Sequence, residues 1–380
     1  MTNYDPIINR ILLPKNDKSL NRISLQVQKQ YKNLELSTLD NFSDYNFVKL
    51  TKLVSNHIDN NIPLEKLIPL TLPVISHHLS QIKPMINFGG IDKIPINLMS
   101  FVFMSSGIGK DRAVSFVNKA FDSFDKKIET VKTKKLDRIA MSFLQDNVKQ
   151  FSYLTNSQKN KVLYDFKKKN PQFSCQKISE DLIIDGSSTT SGFINLVENS
   201  QLQGGIVSIL ETELISKLNN NSHHFKELIS LVGKTFDKGS AIKKELKTNK
   251  NGRIIKNQYT SLLCFSAPNN LWDDKVVNFF RENYNNILAR RGLFTFLDRN
   301  SQSYIDYQNS KKEYNVNTSV EDILQSTLDL LSNYDDYDLE LSQSGKDYFE
   351  IIKNYNKQLA TLITYGYNLS NPKLALKSFS

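Results

Sequence analysis

Lys110 follows Ser105-Ser106-Gly107-Ile108-Gly109, and a lysine directly behind two closely spaced glycines is suited to holding a polyphosphate. Glycine lets the backbone turn so that successive N–H groups converge on one anion. A helix starting at the lysine adds the positive end of its dipole. The flanks fit: Ile96-Asn97-Leu98-Met99-Ser100-Phe101-Val102-Phe103-Met104 reads as a buried strand, and 112–121 has the apolar spacing of an amphipathic helix. Ser106, Gly107, Gly109, Lys110 and Asp111 are therefore the candidate phosphate-binding residues, with ATP as the ligand. Two positions depart from G-x-x-x-x-G-K-[ST]. Met104 stands where the first glycine belongs, and Asp111 replaces the hydroxyl that holds Mg²⁺. Asp111 is then either a direct Mg²⁺ ligand or a helix-capping carboxylate worth about 1 kcal/mol. Without metal it would repel a phosphate about 4 Å away by about 4 kcal/mol at an effective dielectric of about 20. The competing reading is a plain strand–helix turn with Lys110 in solvent.

Phosphoryl transfer needs further groups, and the chain offers them in order. The apolar run 206–210 ends in Glu211-Thr212-Glu213, carboxylates suited to holding Mg²⁺ or polarising an attacking water. Asp111 and Glu211 are the candidate metal ligands. A second apolar run, 261–267, ends in Pro268-Asn269-Asn270, which puts Asn269 where an amide could sense a terminal phosphate. Arg290 and Arg291 could stabilise transition-state charge, across a subunit interface. Between these, Asn251-Gly252 lies between two β-compatible arms and reads as a hairpin tip, with Lys250, Arg253 and Lys256 beside it for nucleic acid. An ordinary surface hairpin with solubilising lysines is the alternative.

These residues need a parallel sheet to hold them. Strands are expected at 96–104, 182–185, 206–213 and 261–270, with helices at 110–128, 193–199, 213–219, 224–232, 271–288 and 320–331. The polar turn 186–192 precedes a helix that Thr190 or Ser191 would cap. Prolines 63, 69 and 73 are expected to break the run 62–79 into short helices, and 300–318 reads as loop. Asn333 to Leu341 is acidic, with room for a short strand. The lysine-rich stretch 126–169 reads as helical, either a solvated face or a binding surface. The expected organisation is a helical N-terminal arm and subdomain at 1–90, a core at 91–300 and a mostly helical region at 301–380.

Composition narrows the class. Lys and Arg number 49 against 39 Asp and Glu, a net charge of +10, which favours a polyanionic partner. Cys175 and Cys264 lie far apart and form no disulfide framework, and the five histidines show no metal-binding spacing. No apolar run approaches the ~18 residues of a membrane span, and the N-terminus lacks a signal-peptide core. A soluble protein of the cytoplasm of a bacterial host cell is the expectation.

The order of parts resembles the phage- and plasmid-encoded primase-helicase ATPases, related to superfamily-3 and AAA+ helicases. The residues that carry the resemblance are S-S-G-I-G-K-D-R-A at 105–113, D-G-S-S-T-T-S-G-F-I at 185–194 and G-I-V-S-I-L-E-T-E-L-I-S-K-L at 205–218. C-F-S-A-P-N-N-L at 264–271, A-R-R-G-L-F-T-F at 289–296 and L-E-L-S-Q-S-G-K-D-Y-F at 339–349 follow. The resemblance implies a RecA/AAA+-like α/β core, a P-loop sheet flanked by helices with helical N- and C-terminal additions. It also implies ATP and Mg²⁺ as cofactors and assembly into a homo-oligomeric ring. Action on DNA, single-stranded above all, alongside other replication proteins of a mobile element would follow. A scaffold that has lost turnover, or a structural component of such an element, remains the alternative.

Overall fold

The computed structural model describes residues 45–82, 85–87, 93–148, 150–175, 183–185, 188–203, 206–219, 223–236, 242–246, 249–255, 258–268, 291–311, 313–331 and 338–340, with isolated positions at 274, 276, 278–279, 342–343, 346–347 and 350. Two helices come first, α1 (Asn46–His57) and α2 (Leu64–Leu79), then the antiparallel pair β1 (Met85–Asn87) and β2 (Lys93–Pro95). β3 (Met99–Met104) leads into α3 (Lys110–Ala120), α4 (Asp122–Asn147) and α5 (Asn156–Lys169). β4 (Ile183–Asp185), α6 (Thr190–Gln203), β5 (Val207–Glu211), α7 (Leu214–Asn219) and α8 (His223–Phe236) follow. β6 (Ile242–Leu246) and β7 (Asn249–Ile255) form a separate hairpin, after which β8 (Thr260–Ser266) and β9 (Gly292–Leu297) complete the central sheet. α9 (Gln302–Ser310) and α10 (Val320–Leu331) come next, and β10 (Asp338–Glu340) runs parallel to β1.

The fold is α/β. Five strands in the order β4-β5-β8-β3-β9 are all parallel, with helices on both faces. Every residue of β3 and β8 is buried, which is why both read as unbroken apolar runs and not as alternating ones. Hydroxyls at the start of β8 find partners in neighbouring segments. Thr260 Oγ1 meets Thr235 Oγ1 of α8 at 2.8 Å, and Ser261 Oγ accepts from the Leu98 N–H. The register pairs Ser100 with Leu263 on the face that carries α2. Thr260 and its i+2 neighbours turn to the face that carries α8.

The strand order locates a crevice. The chain leaves β3 toward β4 at one edge, whereas it leaves β8 toward β9 at the other. Right-handed crossovers then place the connections after these two neighbouring strands on opposite faces. α3 indeed lies on the α2 face, where Asn118 Oδ1 is 3.0 Å from His78 Nε2. The carboxyl ends of β3 and β8 are thus a topological switch point, the place where open parallel sheets bind ligands.

The structure departs from expectation in several elements. Pro69 and Pro73 do not break the run 62–79; both lie inside the single helix α2. Proline at 73 has no N–H to give the Pro69 carbonyl, and Ser100 Oγ of β3 donates to that carbonyl instead, at 2.6 Å. α2 is buried around most of its circumference, so packing also offsets the lost bond. The helix expected at 110–128 ends at Ala120 and restarts as α4 after Phe121. Thr189, not Thr190 or Ser191, caps α6, its Oγ1 accepting from the Gly192 N–H at 3.2 Å. The hairpin reverses between Leu246 and Asn249, which pair, so Asn251-Gly252 lies within β7 beside a register shift. Glycine in a strand marks a bulge as readily as a turn. Residues 292–297 form the edge strand β9, and α9 occupies part of the segment expected to be loop.

Candidate nucleotide-phosphate site

The segment between β3 and α3 is a tight loop with Gly107 at φ 80° and Gly109 at φ 97°, both in the left-handed region where only glycine is unstrained. Met104 supplies no flexibility in place of the first glycine. It is the last residue of β3, fully buried and paired with Leu297. Lys110 is not in solvent. Only 8% of it is exposed, and its Nζ donates to the carbonyls of Met104 at 2.8 Å and Ser105 at 2.9 Å. An ammonium has three donors, so one remains for an anion. Burial pulls the Lys110 pKa down, and neighbouring Asp111 partly offsets this. Ser106 and Gly107 are exposed, and Asp111 is exposed on the first turn of α3.

The loop is clamped from both sides. Toward β9, the Ser105 N–H bonds the Leu297 carbonyl, the Ser105 hydroxyl lies 3.3 Å from Asp298 Oδ1, and the Arg299 N–H donates to that hydroxyl. Toward the N-terminus, Ile58 packs so tightly that a Cβ added at Gly109 would lie 3.1 Å from its Cβ. Arg112 holds the same corner, donating to the His57 carbonyl at 2.7 Å and to Asp59 Oδ2 at 3.2 Å. Asp59 and Asn60 there are the positive-φ non-glycine residues among those described. Tyr307, Gln308 and Lys311 bond the carbonyls of Asn60, Asn61 and Asp59. Neither Asp298 nor the 57–61 corner was singled out in the sequence. A carboxylate directly after an apolar strand was the available signal for Asp298; nothing local marks Ile58.

The carboxylates are arranged less simply. Glu211 ends β5 and is 2% exposed. Its Oε1 accepts the Glu213 N–H at 2.7 Å, and its Oε2 pairs with Lys217 Nζ at 2.5 Å. β8 lies between β5 and β3, which sets Glu211 about 10 Å to the side. The register aligns Glu211 and Phe101 with the same Cys264, three residues before the end of β3, or about 10 Å back along the strand. The structure therefore does not bring Glu211 to the loop. Glu213, directly before α7, is exposed. Arg291 is half-buried, and burial draws its pKa down. Asn269, Arg290 and Lys256 lie outside the described residues, and Lys250 and Arg253 are placed only as positions on β7.

The loop would offer a triphosphate its backbone N–H groups and an ammonium, with Asp111 as the carboxylate beside them for Mg²⁺, which needs one or two protein ligands besides phosphate and water. Among the described residues no group of three or more His, Cys, Asp or Glu could hold a metal by itself. A hydroxyl beside an imidazole elsewhere, Ser208 Oγ and His77 Nδ1 at 2.5 Å, resembles a nucleophile–base pair. It lines a cavity of ≈ 20 Å³ beneath α2, room for about one water and no substrate. No helix among the described residues is long and apolar enough to cross a membrane. The chain matches no known family profile, no characterised protein and no solved structure.

Proposed function

We propose that the chain binds ATP through the 105–111 loop and acts as a P-loop-type, helicase- or translocase-like ATPase subunit on DNA, in the replication of a phage or plasmid. What supports this most is Lys110. A buried lysine folded back over a two-glycine loop, at the switch point of a five-stranded parallel sheet, leaves one donor for an anion beside a helix N-terminus. In this reading Gly107 and Gly109 shape the phosphate cradle, and Asp111 holds Mg²⁺. Glu213 polarises water, and Asn269 with Arg290 or Arg291 completes the site. Lys250, Arg253 and Lys256 contact DNA, and the subunits form a ring with other replication proteins nearby.

One observation favours a second reading, a scaffold that binds nucleotide without turning it over. Both carboxylate oxygens of Glu211 are engaged within its own strand–helix corner. Direct binding separates the loop assignment from turnover. Titration calorimetry with ATP should show binding to the wild type and roughly 10- to 150-fold weaker binding to Lys110→Ala, the worth of a hydrogen bond to a charged group. Equal affinities would overturn the loop assignment. Binding without DNA-stimulated hydrolysis would select the scaffold.

A further inference from the structure

Residues 122–175 contain twelve Lys and Arg against six Asp and Glu, more than half of the chain's excess of +10. Most of this segment is a helical hairpin. Phe124, Ile128, Lys132, Leu136, Ala140 and Leu144 recur every four residues and form the buried stripe of α4. α5 has no buried residue and a Thr155–Gln158 capping box at its start. The rings of Phe143, Phe166 and Phe173, with centroids 5.1–6.2 Å apart, pack the two helices together. Three lysines serve the fold: Lys132 bonds Gln81, Lys127 bonds Gln325, and Lys167 pairs with Asp137 at 2.6 Å.

That last pair sets the hairpin's register. It brings the end of α5, with Lys168 and Lys169, alongside Lys134, Lys135 and Arg138 of α4, all of them exposed. On α5 itself, Lys161, Tyr164 and Lys168 fall at i, i+3 and i+7, an outward stripe in which Tyr164 is 69% exposed. Tyr153, in the connection between the helices, is 88% exposed. A tyrosine that serves packing buries its ring, and these two do not.

We propose that the outer face of the α4–α5 hairpin binds single-stranded nucleic acid. Lys134, Lys135, Arg138, Lys161 and Lys168 meet phosphates, and Tyr164 stacks on a base. Helix neighbours at this spacing are about 5–6 Å apart, so a base on Tyr164 leaves its flanking phosphates within reach of Lys161 and Lys168. A duplex has no unstacked base for an exposed ring to take. A membrane surface calls for apolar residues that insert; the outer stripe of α5, Ser157, Lys161, Tyr164 and Lys168, has none, whereas α4 exposes Val131 and Ile139 beside its basic residues, so vesicles form one arm of the test. The surface is carried by α4 and α5 and not by the 105–111 loop, and it does not depend on nucleotide binding there.

The test is fluorescence anisotropy of the full chain with a labelled oligo(dT) of about 20 nucleotides, without nucleotide, across a salt series. Lys161→Gln/Lys168→Gln and Lys134→Gln/Lys135→Gln/Arg138→Gln should each flatten the log K–log salt slope by about 0.7 per lost contact. Tyr164→Ala should weaken binding roughly 5- to 150-fold, and Tyr164→Phe should bind like the wild type. Binding is read without nucleotide, which separates this surface from the loop. All the altered side chains are exposed, and circular dichroism checks the fold. Unchanged slopes together with unchanged affinity of Tyr164→Ala overturn the proposal. So does a loss of binding to phosphatidylserine vesicles with oligo(dT) affinity intact, which would reassign the face to an anionic membrane.

Discussion

Replacing Gly109 with alanine probes both the loop and the corner that clamps it. Gly109 sits at φ 97° and ψ 17° as the residue before α3. An L-residue in that region costs roughly 1–2 kcal/mol. The new Cβ would also stand 3.1 Å from Ile58 Cβ and 3.3 Å from Ile58 Cγ2. Ile58 cannot retreat cheaply, because it is fully buried and its turn is pinned by Arg112, Tyr307 and Lys311. Overpacking of this kind adds about 1–3 kcal/mol. Gly107→Ala is the matched control: its φ is 80°, but nothing lies within 4 Å of the added atom. It should lose only the backbone part, about 1–2 kcal/mol. Urea denaturation of both variants reads the difference, with equal m-values showing that the unfolded state has not changed. We predict that Gly109→Ala is the less stable by about 1–3 kcal/mol. If the two variants are equally stable, Ile58 does not press on the loop and the reasoning fails.

Two further predictions concern Glu211 and its neighbours. Lys217→Met leaves a buried carboxylate without its cation, which costs about 3–5 kcal/mol for a fully buried pair. Lys217 is 26% exposed, so water offsets part of this and a loss of about 2–3 kcal/mol is expected. Adding Glu211→Gln should recover much of that loss in a double-mutant cycle, and additive losses would mean the pair contributes nothing. Cys264 has its thiol pKa pushed well above 9.0, first by burial and then by Glu211, with Lys217 pulling it back. Above about pH 9 the unfolded chain loses this proton while the folded chain keeps it, so stability should fall as pH rises through that range. Cys264→Ala should show a shallower decline between pH 8 and 10, and an identical decline would refute the assignment.

The parallel strands were legible because a sheet covered on both faces demands long apolar runs, and 99–104, 207–211 and 260–266 are such runs. The loop was legible from its glycines and lysine. The continuity of α2 was not, because the bond that replaces a proline's missing donor comes from Ser100, 31 residues away. α9 was hidden for a similar reason. It has no buried residue, and its ties run to the carbonyls of Asn60 and Asn61, 247 residues earlier. Asn251-Gly252 carried the expected local signal, but the register of β6 and β7 places it at an irregularity and not at the tip. The separation of Glu211 from the loop follows from which strand lies between which, and no local pattern encodes that.

The position of β3 has a consequence for how the chain becomes functional. Its two neighbours are β8 and β9, and the Ser105–Asp298 contact joins residues 193 apart. The strand that carries the loop is thus made early and stays unpaired while the rest of the sheet is still being synthesised. Long-range closure of this kind is slow, since loop entropy is lost before the contacts form. During translation the 105–111 loop has no second wall until residues near 299 have emerged. A nascent chain stopped short of β9 would hold every glycine and the lysine of the motif, yet lack the backbone bond that anchors Ser105.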